Sequence, residues 1–166
     1  SVSDGLTYDY GTLAAGGSAD KTFTISNSGG VGAVSISGSG LAAPFSFKGG
    51  GYPGTGGSCG ASLASGSNCT IVVTYHPTVT GSNSDTIDIA YNDGVNAQTV
   101  GRDVQGTAVA PASITISDGA TYNFGTLANG ASADKTLTLT NAGAFTASSM
   151  TGSGLSAPFT FKGGAY

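Results

Sequence analysis

From Asp118 to Tyr166 the chain restates what it has already set down from Asp4 to Tyr52. Aligned 114 positions apart, the two stretches match without a gap and are identical at 31 of 49 positions. DGLTYDYGTLAAGGSADKT returns as DGATYNFGTLANGASADKT, and Pro44-Phe45 with Phe47-Lys48-Gly49-Gly50 returns as Pro158-Phe159 with Phe161-Lys162-Gly163-Gly164. A repeated text must fold as a repeated unit, so the role expected is one filled by length or copy number. The organisation expected is a complete module over 1–110, a short linker at 111–112 and the N-terminal half of a second module over 113–166.

A unit of about 110 residues can bury a core, whereas a piece of about 50 retains too little apolar surface to do so independently. Three sources for the missing half are open: chain running on past Tyr166, strands of another molecule, or packing on the first module. In the first case the next residues are expected to resemble Pro53-Gly54-Thr55-Gly56-Gly57-Ser58-Cys59.

Glycine is abundant, at 29 of 166 residues, and all nine acidic residues are Asp, with no Glu. Gly, Asp and Ser favour turns while Glu and Lys are common helix formers, so helices are not expected. Formal charge is −4 and the bases are confined to Lys21, Lys48, Arg102, Lys135 and Lys162, which leaves no basic stripe to neutralise phosphates; nucleic acid is not an expected partner. No apolar run approaches the 18 or so residues needed to cross a bilayer as a helix, so no membrane insertion is expected in this segment.

The first module reads as short strands at even spacing, near 5–10, 20–27, 33–37, 44–48, 69–76, 85–91 and 98–108, divided by Gly, Ser and Asn-Asp-Gly clusters. This is the pattern of an all-β sandwich. Alternation places Phe23 and Ile25, then Ile71, Val73 and Tyr75, then Ile87, Ile89 and Tyr91 on inward faces as the expected core. Asn92-Asp93-Gly94 is a hairpin turn signal, and Ala110-Pro111-Ala112 is a short, semi-rigid joint.

Tyr10-Gly11-Thr12-Leu13, the strand ending Thr24-Ile25-Ser26-Asn27-Ser28-Gly29, then Cys59, Leu63, Gly66, the run Cys69 to Tyr75, Pro77, Gly81 and Gly106-Thr107 together resemble the choice-of-anchor D repeats. Those repeats are bacterial relatives of the immunoglobulin-like ASH domains, a group that also resembles the major sperm protein and pilus-chaperone type of sandwich. The resemblance covers the first module and, up to Tyr166, the second. It implies a seven-stranded immunoglobulin-like β-sandwich in tandem, the second copy incomplete, on large secreted or surface-attached bacterial proteins, with no catalytic residues.

Cys59 and Cys69, the two cysteines, read as a disulfide and hence an oxidising compartment; a metal or redox site, or idle thiols, are the alternatives. His76 is the sole His, so no His cluster can form and any His-based triad would have to use this residue; an exposed place at a strand end explains it. Asp85, Asp88 and Asp93 lie in one oxygen-rich stretch and are a weak calcium alternative. Asp85 and Asp88 differ by an odd number, however, and a turn explains Asp93, so no metal and no other cofactor is expected. Lys21 and Lys135 fall at equivalent strand positions, as the crosslinking Lys of some surface pilins does, but an exposed strand Lys accounts for both.

The expectation is therefore a non-enzymatic structural repeat of an extracellular bacterial surface protein, an adhesin stalk or a surface fibre. Its partners would be neighbouring repeats and other copies engaging the exposed strand edges of 113–166. A glycan- or protein-binding module is the alternative, with Tyr52 and its counterpart Tyr166 as the candidate aromatic platform.

Overall fold

The computed structural model describes residues 1–164 and 166, and the chain divides into two units, Ser1–Ala110 and Pro111–Tyr166. Unit 1 is all β. Its strands are β1 (Thr7–Ala14), β2 (Ala19–Ser26), β3 (Ala33–Ser39), β4 (Phe45–Phe47), β5 (Ser62–Leu63), β6 (Asn68–Tyr75), β7 (Gly81–Asn92) and β8 (Ala97–Val109). They form a five-stranded sheet in the order β1-β8-β7-β3-β5 and a three-stranded sheet in the order β2-β6-β4. Eight strands stand where seven were expected. The additional one, β5, is two residues long, too short to alternate, and is defined by its pairing of Leu63 with Ala33.

The N-terminal segment divides itself between the sheets. Ser1 and Ser26 exchange backbone hydrogen bonds of 2.8 and 2.9 Å, the Ser3 N–H donates to the Thr24 carbonyl, and Val2 faces Ile25. The chain then turns through Asp4 and Gly5, both at positive φ, and as β1 joins the other sheet parallel to β8, from Thr7 beside Asp103 to Ala14 beside Val109.

The core lies between the sheets. Phe23, Ile71, Val73, Tyr75, Ile87 and Ile89 are fully buried, each side chain stabilising the fold by about 1.5–3 kcal/mol relative to exposure. Tyr75 stacks on Phe45 at 4.7 Å, and the Tyr10 hydroxyl donates to the Val73 carbonyl at 2.9 Å. Val72 is also buried, although it points away from this core. The glycine-rich segment 48–59 runs along the far edge of β6: the Lys48 N–H donates to Val72, Val72 to Pro53, and Ser58 and Cys59 to Thr70. That loop therefore covers a strand edge that would otherwise be open to pairing.

Unit 2 keeps the local geometry of the first half of unit 1. Its strands β9 (Ile114–Ile116) and β10 (Leu139–Asn141) pair antiparallel, with Ile116 beside Leu139 as Val2 is beside Ile25. Lys135 meets Asp118 at 2.7 Å, as Lys21 meets Asp4. Tyr122 and Phe124 pack edge to face at 5.0 Å and 89°, as Tyr8 and Tyr10 do. Burial is what differs: Leu137, Leu139 and Phe159 are 43%, 41% and 53% exposed, while their counterparts Phe23, Ile25 and Phe45 are 0%, 5% and 1% exposed. In unit 1 those residues pair with β6 and face the sheet that holds β7 and β8, and among the described residues of Pro111–Tyr166 no strands correspond to these three.

Candidate functional site

Cys59 and Cys69 are joined, with Cα atoms 4.9 Å apart, and both are buried. β6 supplies Cys69 at its start, and the Cys59 N–H is fixed on the Thr70 carbonyl, so the bridge ties the edge-covering loop to the strand it covers. Ser62–Leu63 lies inside the closed loop, which brings Leu63 into the core.

The other residues singled out in the sequence lie apart. His76 sits past the end of β6 with Nδ1 2.9 Å from the Gly17 carbonyl oxygen, a contact that holds the β1–β2 turn. Asp85 accepts hydrogen bonds from the Ala42 and Thr86 N–H groups. Asp93 accepts from Val95, Asn96 and the Gln98 side chain at the hairpin tip. The backbone donors of Asn96 and Val95, with Gln98, hold the Asp93 carboxyl below the usual carboxylate range. Among the described residues no three His, Cys, Asp or Glu side chains converge as metal ligands, so Asp85, Asp88 and Asp93 do not form a shared site.

Lys21 is held by Asp4 and lies 4.6 Å over the Tyr8 ring, and Lys135 sits in the same way against Asp118 and Tyr122. Tyr52 is half-buried, and its ring stands at 87° to that of Phe47 with centroids 5.7 Å apart.

Two features escaped the sequence reading. Arg102 is buried on the inward face of β8, between Val100 and Val104, and its Nη2 donates to the Val2 carbonyl. Its Nε has no hydrogen-bond partner among the described residues. Arg102 thus pins the N-terminal segment where it leaves β2 for β8. The only signal in the sequence was that the chain's single Arg replaces an aliphatic residue in an alternating row.

The second is a cleft of about 190 Å³ at one end of unit 1, floored by Ile25, Ile36, Leu63, Ile89, Tyr91 and Val100, with Ser1, Asn27 and Asp93 on its rim. It lies where β8 runs beyond its pairing with β1, which begins at Asp103 and leaves residues 97–102 outside that pairing. The apolar floor suits an aliphatic group.

No family model matches the chain, and no curated protein matches it. Among solved structures, the ASH/PapD-like domain of human CEP192 (PapD-like domain 7) superposes with a TM-score of 0.50 at 16% identity, over 67% of this chain and 85% of that one. The VesB protease of Vibrio cholerae superposes with a TM-score of 0.53 at 15% identity, over 64% of this chain. This chain spans 31% of that protease's length. At such identities the likeness is one of fold, an immunoglobulin-like sandwich of the ASH/PapD-like type.

Proposed function

We propose that this chain is a structural repeat of an extracellular bacterial surface protein, of the choice-of-anchor D kind, serving as a stalk or surface fibre that holds another part at a distance from the cell. The observation that carries the reading is the recurrence of one local geometry at an offset of 114 residues, down to the Lys21–Asp4 and Lys135–Asp118 pairs. A function resting on copy number needs each copy to build the same shape, and does not need a distinct reactive centre. The Cys59–Cys69 bridge fits a secreted setting.

In this reading the partners are further repeats. The apolar face around Leu137, Leu139 and Phe159 is matched to strands of the β6 to β8 type, delivered by neighbouring repeat sequence or by another copy across the strand edges of 113–166. Immunogold labelling of thin sections of source cells with antibodies against this chain tests the proposal. Label is expected on the cell exterior, and label confined to the cell interior would refute it.

A further inference from the structure

The cleft of unit 1 has a counterpart position in unit 2 that names its occupant. Ser1 begins the segment that pairs with β2, and Val2 points inward beside Ile25. The next inward position on that segment is therefore one residue ahead of Ser1. In unit 2, at an offset of 114, that position is held by Ile114, which pairs with Asn141 on the same face as Ile116 and Leu139. Asn141 is the counterpart of Asn27, a residue of the cleft rim.

The opposite sheet agrees. The Val2 carbonyl meets Arg102, and the N-terminal segment continues into β1, which runs parallel to β8. A residue two places before Val2 then lies level with a residue two places before Arg102, which is Val100, on the cleft floor. Strand periodicity of two puts both side chains on the inner face.

We propose that the cleft is the seat of a branched aliphatic side chain carried one position ahead of Ser1 on the strand that pairs with β2, the position that Ile114 holds in unit 2. The occupant is thus a short strand of Ser-Ile type, continuing the antiparallel pairing past Asn27 and closing this end of the sandwich. In unit 2 the backbone of that strand is already fixed ahead of Ile114: the Ser113 N–H donates to Asn141 Oδ1 at 3.0 Å, and the Ala142 N–H donates to the Ser113 carbonyl at 2.8 Å. The seat stands or falls independently of any role at a cell surface.

The test uses the whole chain extended ahead of Ser1 by Ser-Ile, Ser-Ala or Ser-Asp. All three extensions can make the backbone hydrogen bonds, so only the side chain distinguishes them. The Ser-Ile chain is expected to melt at least about 4 °C above the Ser-Ala chain, with Ser-Asp lowest. Methyl NOEs are expected from the added Ile to the Tyr91 ring and the Val100 methyls, and Val100→Ser should remove most of the Ile advantage. Equal melting of the Ile and Ala chains, or Ile methyls without NOEs to Tyr91 and Val100, would overturn the proposal.

Discussion

The space that a side chain at Gly38 would need is occupied by the ring of Tyr52: a Cβ built on Gly38 falls 2.4 Å from Tyr52 Cδ2 and 2.6 Å from Phe47 Cζ. Gly152 stands in the same relation to Tyr166, again at 2.4 Å. The glycine and the tyrosine recur together at the offset of 114, with the same close approach. Gly38→Ala is expected to destabilise unit 1 by about 1–3 kcal/mol through overpacking. Gly30, which has open space and no positive φ, is the comparison: Gly30→Ala should be neutral or slightly stabilising. Urea melts of the two variants decide it, and equal midpoints would count against the packing argument.

The disulfide separates residues 10 apart in sequence, and in the chain-entropy account closing so short a loop stabilises the fold by about 3 kcal/mol. A variant with Cys59→Ala and Cys69→Ala should lose about that much. Reductant should lower the denaturation midpoint of the parent and leave the variant unmoved. The backbone amides along β6 that bond to segment 48–59, Val72 above all, should lose hydrogen-exchange protection first.

Arg102→Met keeps an inward-facing chain of similar length while removing the donor to the Val2 carbonyl. A cost of about 1–3 kcal/mol is expected, since a buried carbonyl is left without its partner. The sign is open to a sharp check, because the variant also removes the unpartnered Nε. If Arg102→Met proves more stable than the parent, desolvation of the guanidinium outweighs the pinning of the N-terminus.

Asp4 is held below the usual carboxylate range by the hydrogen bond from Lys21, then that from Ser3, and Asp118 is held down in the same way by Lys135 and Ser117. A folded-state value below the unfolded one gives stabilisation that is fully present above about pH 3.9 and is lost as pH falls through the folded value. Melting temperature should therefore hold from pH 7 to about pH 5 and decline below about pH 4. Asp4→Asn, which tolerates the positive φ at this position, should melt lower at pH 7 yet converge with the parent in strong acid. Added salt should shrink the difference, because the pair is solvent-accessible.

Strand positions were legible where alternation was strong: β2, β6 and β8 lie within a residue or so of the sequence reading. β1 runs on to Ala14 because a register shift between Asp9 and Thr12, with Gly11 at positive φ, lets it keep pairing where the pattern breaks. β7 starts at Gly81, four residues before the expected start at 85, because Gly81 to Ser84 are held by ladder bonds to β8 and not by side-chain burial. Of the eight expected core residues, seven are buried and Tyr91 is half-buried because it floors the cleft. Val72, Arg102 and the cleft were not legible. Each depends on what a distant segment does: loop 48–59 for Val72, and the split path of Ser1–Ala14 for the other two.

β1 and β8 run side by side in the same direction, so the chain enters this pair at one end and leaves it at the other. Stretched between those ends, the two strands cannot peel; they must slide. Once Ser1–Ser3 has let go of β2, the bonds from Thr7 beside Asp103 to Ala14 beside Val109 lie across the pull and share it, whereas a hairpin pulled at its open end would surrender one bond at a time. Unit 1 should thus behave as a brittle link that stays rigid up to an abrupt rupture force. Single-molecule stretching that gave a slow, low-force extension instead would show that the parallel pair does not carry the load.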